Sequence, residues 1–196
     1  MKFRLLTLLG LTLVSCSAFI TSSVFAIEEV DVKYVYAGNH GVDLSKLKGS
    51  FKIGDFSDDR GVDNLQLITD ADLGDSRVSG GYQADRIITD IIQGAFTQGF
   101  IDGGATPVDS DEDMSLTGKL LSSEAQIIER NGVQMIQLTF RVNVQLHKGG
   151  RSIWQTTLFG RGRTPETEGM TASVSAALDR MINELVRDDY FLQEIR

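Results

Sequence analysis

From residue 136 to residue 146 the chain alternates without a break. Ile136, Leu138, Phe140, Val142, Val144 and Leu146 fall on one side, and Gln137, Thr139, Arg141, Asn143 and Gln145 on the other. Successive side chains of a strand point to opposite faces, so this period of two specifies a strand in a sheet that is buried on one face only. Asn131-Gly132 just before it is a type I′ hairpin signal, which makes residues 116–128 its antiparallel neighbour. Lys148-Gly149-Gly150-Arg151 turns the chain again into residues 152–162, completing a three-stranded meander. Within its first strand the apolar phase passes from Leu116 and Leu120 to Leu121, Ala125 and Ile127, a one-residue slip that predicts a β-bulge.

The rest of the chain supplies helices to cover that sheet. Ile87, Ile88, Ile91, Ile92, Ala95, Phe96, Gly99 and Phe100 recur in adjacent pairs every four residues, which lines one side of a helix, and Gly103-Gly104 stops it. Thr164-Pro165 offers a second helix start, after which Val174, Ala177, Leu178, Met181, Ile182 and Leu185 keep helical spacing. Asp188 and Asp189 are placed to cap a last short turn carrying Tyr190, Phe191 and Ile195. Upstream, Val30, Val32, Tyr34 and Tyr36 alternate as a first strand, and residues 39–49 read as a loop. Phe51, Ile53 and Asp55 alternate next, in a strand that runs into the acidic turn 56–61. Residues 64–69 add a short extended piece, and 71–81 read as a flexible connection. The expected fold is α+β: a mostly antiparallel sheet with a three-stranded C-terminal meander and two main helices packed on one face.

The amino terminus is an address rather than fold. Lys2 and Arg4 precede a stretch without charge from Leu5 to Ile27, the layout of a secretory signal. Two processing sites compete within it. Leu13-Val14-Ser15-Cys16 has the form of a lipobox whose cysteine is acylated, and Val24-Phe25-Ala26 has the small residues that an ordinary signal peptidase prefers. An uncleaved anchor is disfavoured by the Ser and Thr residues between 15 and 23. Residues 1–26 are thus read as a signal peptide, or 1–15 if the chain is lipidated at Cys16, and 27–196 as a single periplasmic α+β domain. Ser17 after the cysteine suits export to the outer membrane.

Removing Lys2 and Arg4 takes the 19 basic residues to 17, against 27 acidic ones, a formal charge of −10. Such a surface repels phosphate backbones and anionic head groups, which argues against nucleic acid, and against any membrane attachment but the N-terminal lipid. Cys16 is the only cysteine, so no disulfide framework is available and apolar burial must hold the domain together.

The order of elements resembles the YajG family of bacterial envelope lipoproteins. Its members carry an amphipathic helix ending in a glycine plus aromatic, then a long meander, then a helix closing with an acidic pair and an aromatic tail. The matching stretches are 84–100, 116–162 and 172–195, with Ala177-Leu178, Ile182, Asp188 and Phe191 the nearest points. The resemblance implies a small lipid-anchored domain facing the periplasm and brings no catalytic residue with it. The strand ending in Phe56, with Asp58 and Arg60, is more distantly similar to domains of envelope helper proteins.

Reactive groups do not converge locally. His40 and His147 fall in separate loops or strand ends with no cysteine beside them, too few ligands for zinc, and each is expected to be a solvated turn residue. Asp109, Asp111 and Asp113 match the start of a calcium loop, but Met114 stands where glycine is needed and Leu120 where a bidentate carboxylate is needed. Asp55, Asp58, Asp59 and Asp63 surround Gly61 and read as an Asp-Asp-Arg turn in which Arg60 neutralises a neighbour. No serine sits in a Gly-x-Ser-x-Gly elbow. Arg151, Arg161 and Arg163 are expected on the polar face and edge of the last strand, where charge discourages sheet addition. No catalytic residue, metal ligand or cofactor is therefore assigned.

The residues singled out for function are Trp154 and Phe159 on the third meander strand. They fall on opposite faces, so one of them points away from the main apolar face unless both faces are covered, and an exposed aromatic there marks a partner surface. The leading expectation is a non-catalytic, periplasm-facing envelope protein with another envelope protein as partner. The alternative is a cell-envelope hydrolase using acidic residues, which calls for a cleft joining Asp58 or Asp59 to His40 or another acid.

Overall fold

A computed structural model describes residues 26–71, 73, 74 and 80–196. Its elements run β1 (Glu28–Val30), β2 (Phe51–Asp58), β3 (Leu67–Thr69), β4 (Tyr82–Ala84), α1 (Ile88–Asp102), β5 (Met114–Arg130), β6 (Val133–Lys148), β7 (Arg151–Pro165), α2 (Gly169–Leu185) and α3 (Asp189–Ile195). A 3-10 turn at Glu166–Glu168 precedes α2. The leader with Cys16, and part of the connection expected over 71–81, lie outside the described residues.

The meander forms as the alternation requires. β5, β6 and β7 pair antiparallel, and β2 joins the free side of β5 in parallel, giving the order β2-β5-β6-β7. The even positions of β6 from Ile136 to Leu146 are buried. At roughly 1.5–3 kcal/mol for each fully buried large apolar side chain, this one row is a main source of stability. Asn131 and Gly132 take φ of 53° and 75°, as a type I′ turn demands. The bulge falls at the phase slip: Leu120 pairs with Val142 and Ser122 with Arg141, which leaves Leu121 as the extra residue. A second irregularity between Ile53 and Phe56 carries Gly54 and Asp55 past the ladder and turns Phe56 inward.

Both long helices bury their apolar stripes on one face of this sheet, α1 chiefly against β2 and α2 against β6 and β7. Aromatic rings tie the layers together: Phe51 stacks on Phe100 at 4.9 Å, Phe56 on Phe96 at 5.5 Å, and Phe191 of α3 meets Phe100 edge-on at 6.1 Å. Gly160 and Gly162 let α2 lie directly on β7, since a Cβ at Gly162 would stand 2.0 Å from the Ser173 carbonyl oxygen. Asp188 caps α3 by accepting a 2.8 Å hydrogen bond from the Phe191 amide.

The structure departs from the sequence reading in three places. Of the strand expected over 30–36 only Val30 enters a ladder, as the last residue of β1, which pairs in parallel with β4 in a small sheet of order β1-β4-β3. The alternation beyond it is real, because Val32 and Tyr34 are buried, but side chains satisfy the backbone there. The Val32 amide donates to Asp85 Oδ1 (2.9 Å), its carbonyl accepts from Arg86 Nη2 (2.7 Å), and Gln98 bonds both the Tyr36 amide (2.9 Å) and the Tyr34 carbonyl (3.2 Å). Tyr82–Ala84, ahead of the helix at Ile88, forms a strand that the sequence reading did not place. β7 runs through Pro165, and helix proper starts only at Gly169, the Thr164 hydroxyl being buried 2.6 Å from Ser173 Oγ.

Candidate partner-binding surface

The acidic groups named for the hydrolase alternative are held in structural contacts. Asp58 and Arg60 form a fork, with Nε–Oδ1 at 2.9 Å and Nη2–Oδ2 at 2.6 Å. Their side chains are only 4% and 5% exposed. The remaining guanidinium nitrogen of Arg60 donates to the Leu67 carbonyl, fastening β3 to the end of β2. Burial pushes the Asp58 carboxyl up, but the Arg60 hydrogen bonds and charge outweigh it and hold the group below the usual carboxylate range. Asp59 pairs at the surface with Lys119 at 3.4 Å.

Asp113 accepts from the Ser50 amide at 2.8 Å, which lowers its carboxyl pKa, so the acidic loop pins the entry to β2. Among the described residues no group of three or more His, Cys, Asp or Glu is placed to hold a metal ion.

The histidines correct one expectation. His40 is 6% exposed rather than solvated. Its Nδ1 accepts from the Val42 amide (3.0 Å) and its Nε2 meets the Gly99 carbonyl (2.9 Å), the tautomer with hydrogen on Nε2 being the one those partners require. The ring thus closes the carboxyl end of α1, among contacts that do not include Asp58 or Asp59. His147 is half-buried within β6, with Nε2 3.1 Å from Thr117 Oγ1.

A polar pair that sequence reading did not find lies under the amino-terminal segment. Tyr34 donates to Asp179 Oδ1 at 2.6 Å, across 145 residues of sequence. Burial, then the bond to Asp179, drives the Tyr34 hydroxyl far above the tyrosine range, and burial raises Asp179. No local pattern could have joined them.

The two aromatics chosen from the sequence separate as the pleat dictates. Trp154 turns to the helix side, half-buried, with its ring 4.9 Å from that of Phe191. Phe159 turns to the other face and is 46% exposed. They do not form one surface.

Around Phe159 the charge changes sign. Arg141 is its cross-strand partner, and Arg161 and Arg163 follow it at alternate positions of β7, all three exposed. Along the neighbouring flank of α2 stand Ala176, Arg180 and Glu184, one helical turn apart. Between these rims runs an open groove of about 920 Å³. Arg163 donates to Gln137 Oε1 at 2.6 Å. Among the described residues, no hydrogen bond or ion pair engages the Arg161 or Arg180 guanidinium. Sequence reading placed the β7 arginines at the edge but had no means of adding Arg180 to them.

No family model and no curated protein matches the chain. Among solved structures it is similar to a protein from Xanthomonas campestris of the family DUF330, at 16% identity and a TM-score of 0.58, over 81% of this chain and 92% of that one. This likeness is one of fold. A minor lipoprotein from Acinetobacter baumannii aligns at 14% identity over 55% of this chain and 86% of its own, with a TM-score of 0.39. An uncharacterized protein aligns at 6% identity over 86% and 99%, with a TM-score of 0.40. At such scores these two likenesses fall short of a shared fold. None of the three is named for the YajG family. Among the described residues no helix is long and apolar enough to cross a membrane.

Proposed function

We propose that this chain is an exported bacterial envelope protein whose domain, residues 27–196, faces the periplasm and binds another envelope component without catalysing a reaction. Export rests on the basic, apolar and small-residue layout of residues 1–26, with lipid attachment at Cys16 or release after Ala26. A lipid anchor at Cys16 followed by Ser17 would place the domain at the outer membrane. The YajG-like order of elements supports the same reading.

The observation that carries the binding role is Phe159. A large aromatic 46% exposed on the terminal strand and flanked by arginines is the kind of residue that anchors an interface. Trp154 contributes from beneath, by fixing α3 against the sheet. The hydrolase alternative gains no support, because Asp58 is tied to Arg60 and His40 to Gly99.

The test is a photo-crosslinking residue placed at position 159 in intact cells, with position 129 at the far hairpin as control. A discrete adduct with one envelope protein from 159 alone is expected. No adduct, the same adduct from both positions, or turnover of a wall polymer or ester by the purified protein would overturn the proposal.

A further inference from the structure

We propose that the free edge of β7 takes an extended acidic peptide as an added strand, with Arg161 and Arg180 holding its carboxylates from opposite rims of the groove. This rests on the reading above that a partner docks at β7, and it specifies that partner's chemistry.

The two edges of the four-stranded sheet differ. At β2 the Phe51 carbonyl is taken by the Val108 amide and the Ile53 carbonyl by Gln93 Nε2, so loop and helix cover that side. At β7, over residues 157–163, the backbone makes no hydrogen bond among the described residues beyond its ladder to β6. Those outward N–H and C=O groups are a template for one more strand.

The groove runs along this edge, because its two rims lie on either side of it. Phe159, Arg161 and Arg163 repeat every second residue, about 6.8 Å apart along a strand, and Ala176, Arg180 and Glu184 repeat every helical turn, about 6 Å apart. The close seating of α2 on Gly160 and Gly162 brings the second rim to the edge. A strand laid against β7 would therefore meet guanidinium groups at about the spacing of its own alternate side chains.

The chain as a whole carries a formal charge of −8, yet this groove holds three arginines and one glutamate. Two of those arginines have no partner within the described residues, so complementarity calls for carboxylates from outside. Arginines on an edge strand also deter aggregation, but that role needs neither the exposed Phe159 nor Arg180 on the helix. A polysaccharide or a lipid surface could answer the charge, but it offers no amide ladder to the β7 backbone.

The experiment uses the full chain in mild detergent and a fluorescent peptide of about ten residues that alternates Glu with Val and Thr. Comparison probes are the same peptide N-methylated at alternate amides, phosphatidylglycerol vesicles and a soluble anionic polysaccharide. The peptide is expected to bind, to slow hydrogen exchange at residues 157–163, and to lose affinity about tenfold or more in the Arg161→Gln/Arg180→Gln chain or on N-methylation. Both arginines are exposed, and an unchanged melting temperature verifies that the variant is folded.

Failure of the peptide to bind, equal binding after N-methylation, indifference to the arginine change, or binding of vesicles or polysaccharide in its place would overturn the inference. An adduct at position 159 in cells that persists in the double variant would sink this inference and leave the binding role standing. Loss of every adduct at 159 in the unaltered chain would sink both.

Discussion

Gly162→Ala puts the packing of α2 to a quantitative test. The new Cβ would stand 2.0 Å from Ser173 O and 2.8 Å from Ala177 N, both helix backbone atoms that cannot swing away as a side-chain tip can. To restore ordinary contact, α2 must retreat from β7 by roughly an ångström, and a gap of that size forfeits a quarter to a half of the dispersion energy across it. Val174, Leu178 and Met181 are buried from that side of α2. At roughly 1.5–3 kcal/mol each when fully buried, the loss sums to about 3 kcal/mol, within the range seen for overpacked cores. For a domain of this size that lowers Tm by about 6–12 °C. Gly94→Ala is the matched control: it lies inside α1 with nothing within 4 Å of the added Cβ, so removal of glycine's backbone freedom should stabilise by about 0.5–1 kcal/mol. Thermal and urea unfolding followed by circular dichroism would measure both. A Gly162→Ala chain melting within about 2 °C of the unaltered protein, or shifts of the same sign for the two glycines, would refute the reasoning.

Four further outcomes follow from particular contacts. Asp188→Ala removes the acceptor of the Phe191 amide and should cost about 1 kcal/mol in urea unfolding, with fraying of α3 visible in its amide exchange. Arg60→Met leaves the Asp58 carboxylate buried without its cation and should cost about 3–5 kcal/mol, whereas Asp58→Leu combined with Arg60→Met should recover most of that loss. Because the folded-state pKa of Asp58 is depressed, its contribution is fully present above the ordinary carboxylate range and is lost as pH falls through the depressed value; an acid unfolding curve should steepen below about pH 4, and Asp58→Asn should flatten it. Intact-mass analysis of the membrane fraction should give a diacyl or triacyl chain beginning at Cys16, or an unmodified chain beginning at Ile27; a chain still carrying Met1–Lys2 would remove export with cleavage from the proposal.

What could be read from the sequence were the elements whose own period fixes their surroundings. The β6 alternation, the Asn131-Gly132 turn, the Leu121 bulge and the α2 stripe each state their burial within a few residues, and each stands as read. The amino-terminal half resisted for a physical reason. Val32 and Tyr34 alternate in and out as strand residues do, but periodicity reports only which side chains are buried and not what bonds the backbone. Asp85, Arg86 and Gln98 supply those bonds from α1 and its approach, more than fifty residues away, and nothing within 30–36 announces them. The same limit hid the parallel pairings of β1 with β4 and β2 with β5, which no hairpin turn signals.

The candidate surface divides along the same line. Strand parity alone settles that Trp154 and Phe159 part company, and once helices cover the even face of β7, Phe159 must be the one left outside. The rim supplied by α2 follows from no parity rule. Arg180 reaches the groove because two glycines in β7 admit the helix at a distance that any Cβ would forbid, so a packing feature of the core determines which charges border the edge. Gly162→Ala should for that reason weaken binding of an acidic strand even in chains that remain folded, by moving Arg180 away from Arg161. Equal affinity in a folded Gly162→Ala chain would show that β7 and its own arginines suffice, and that the helix is a bystander.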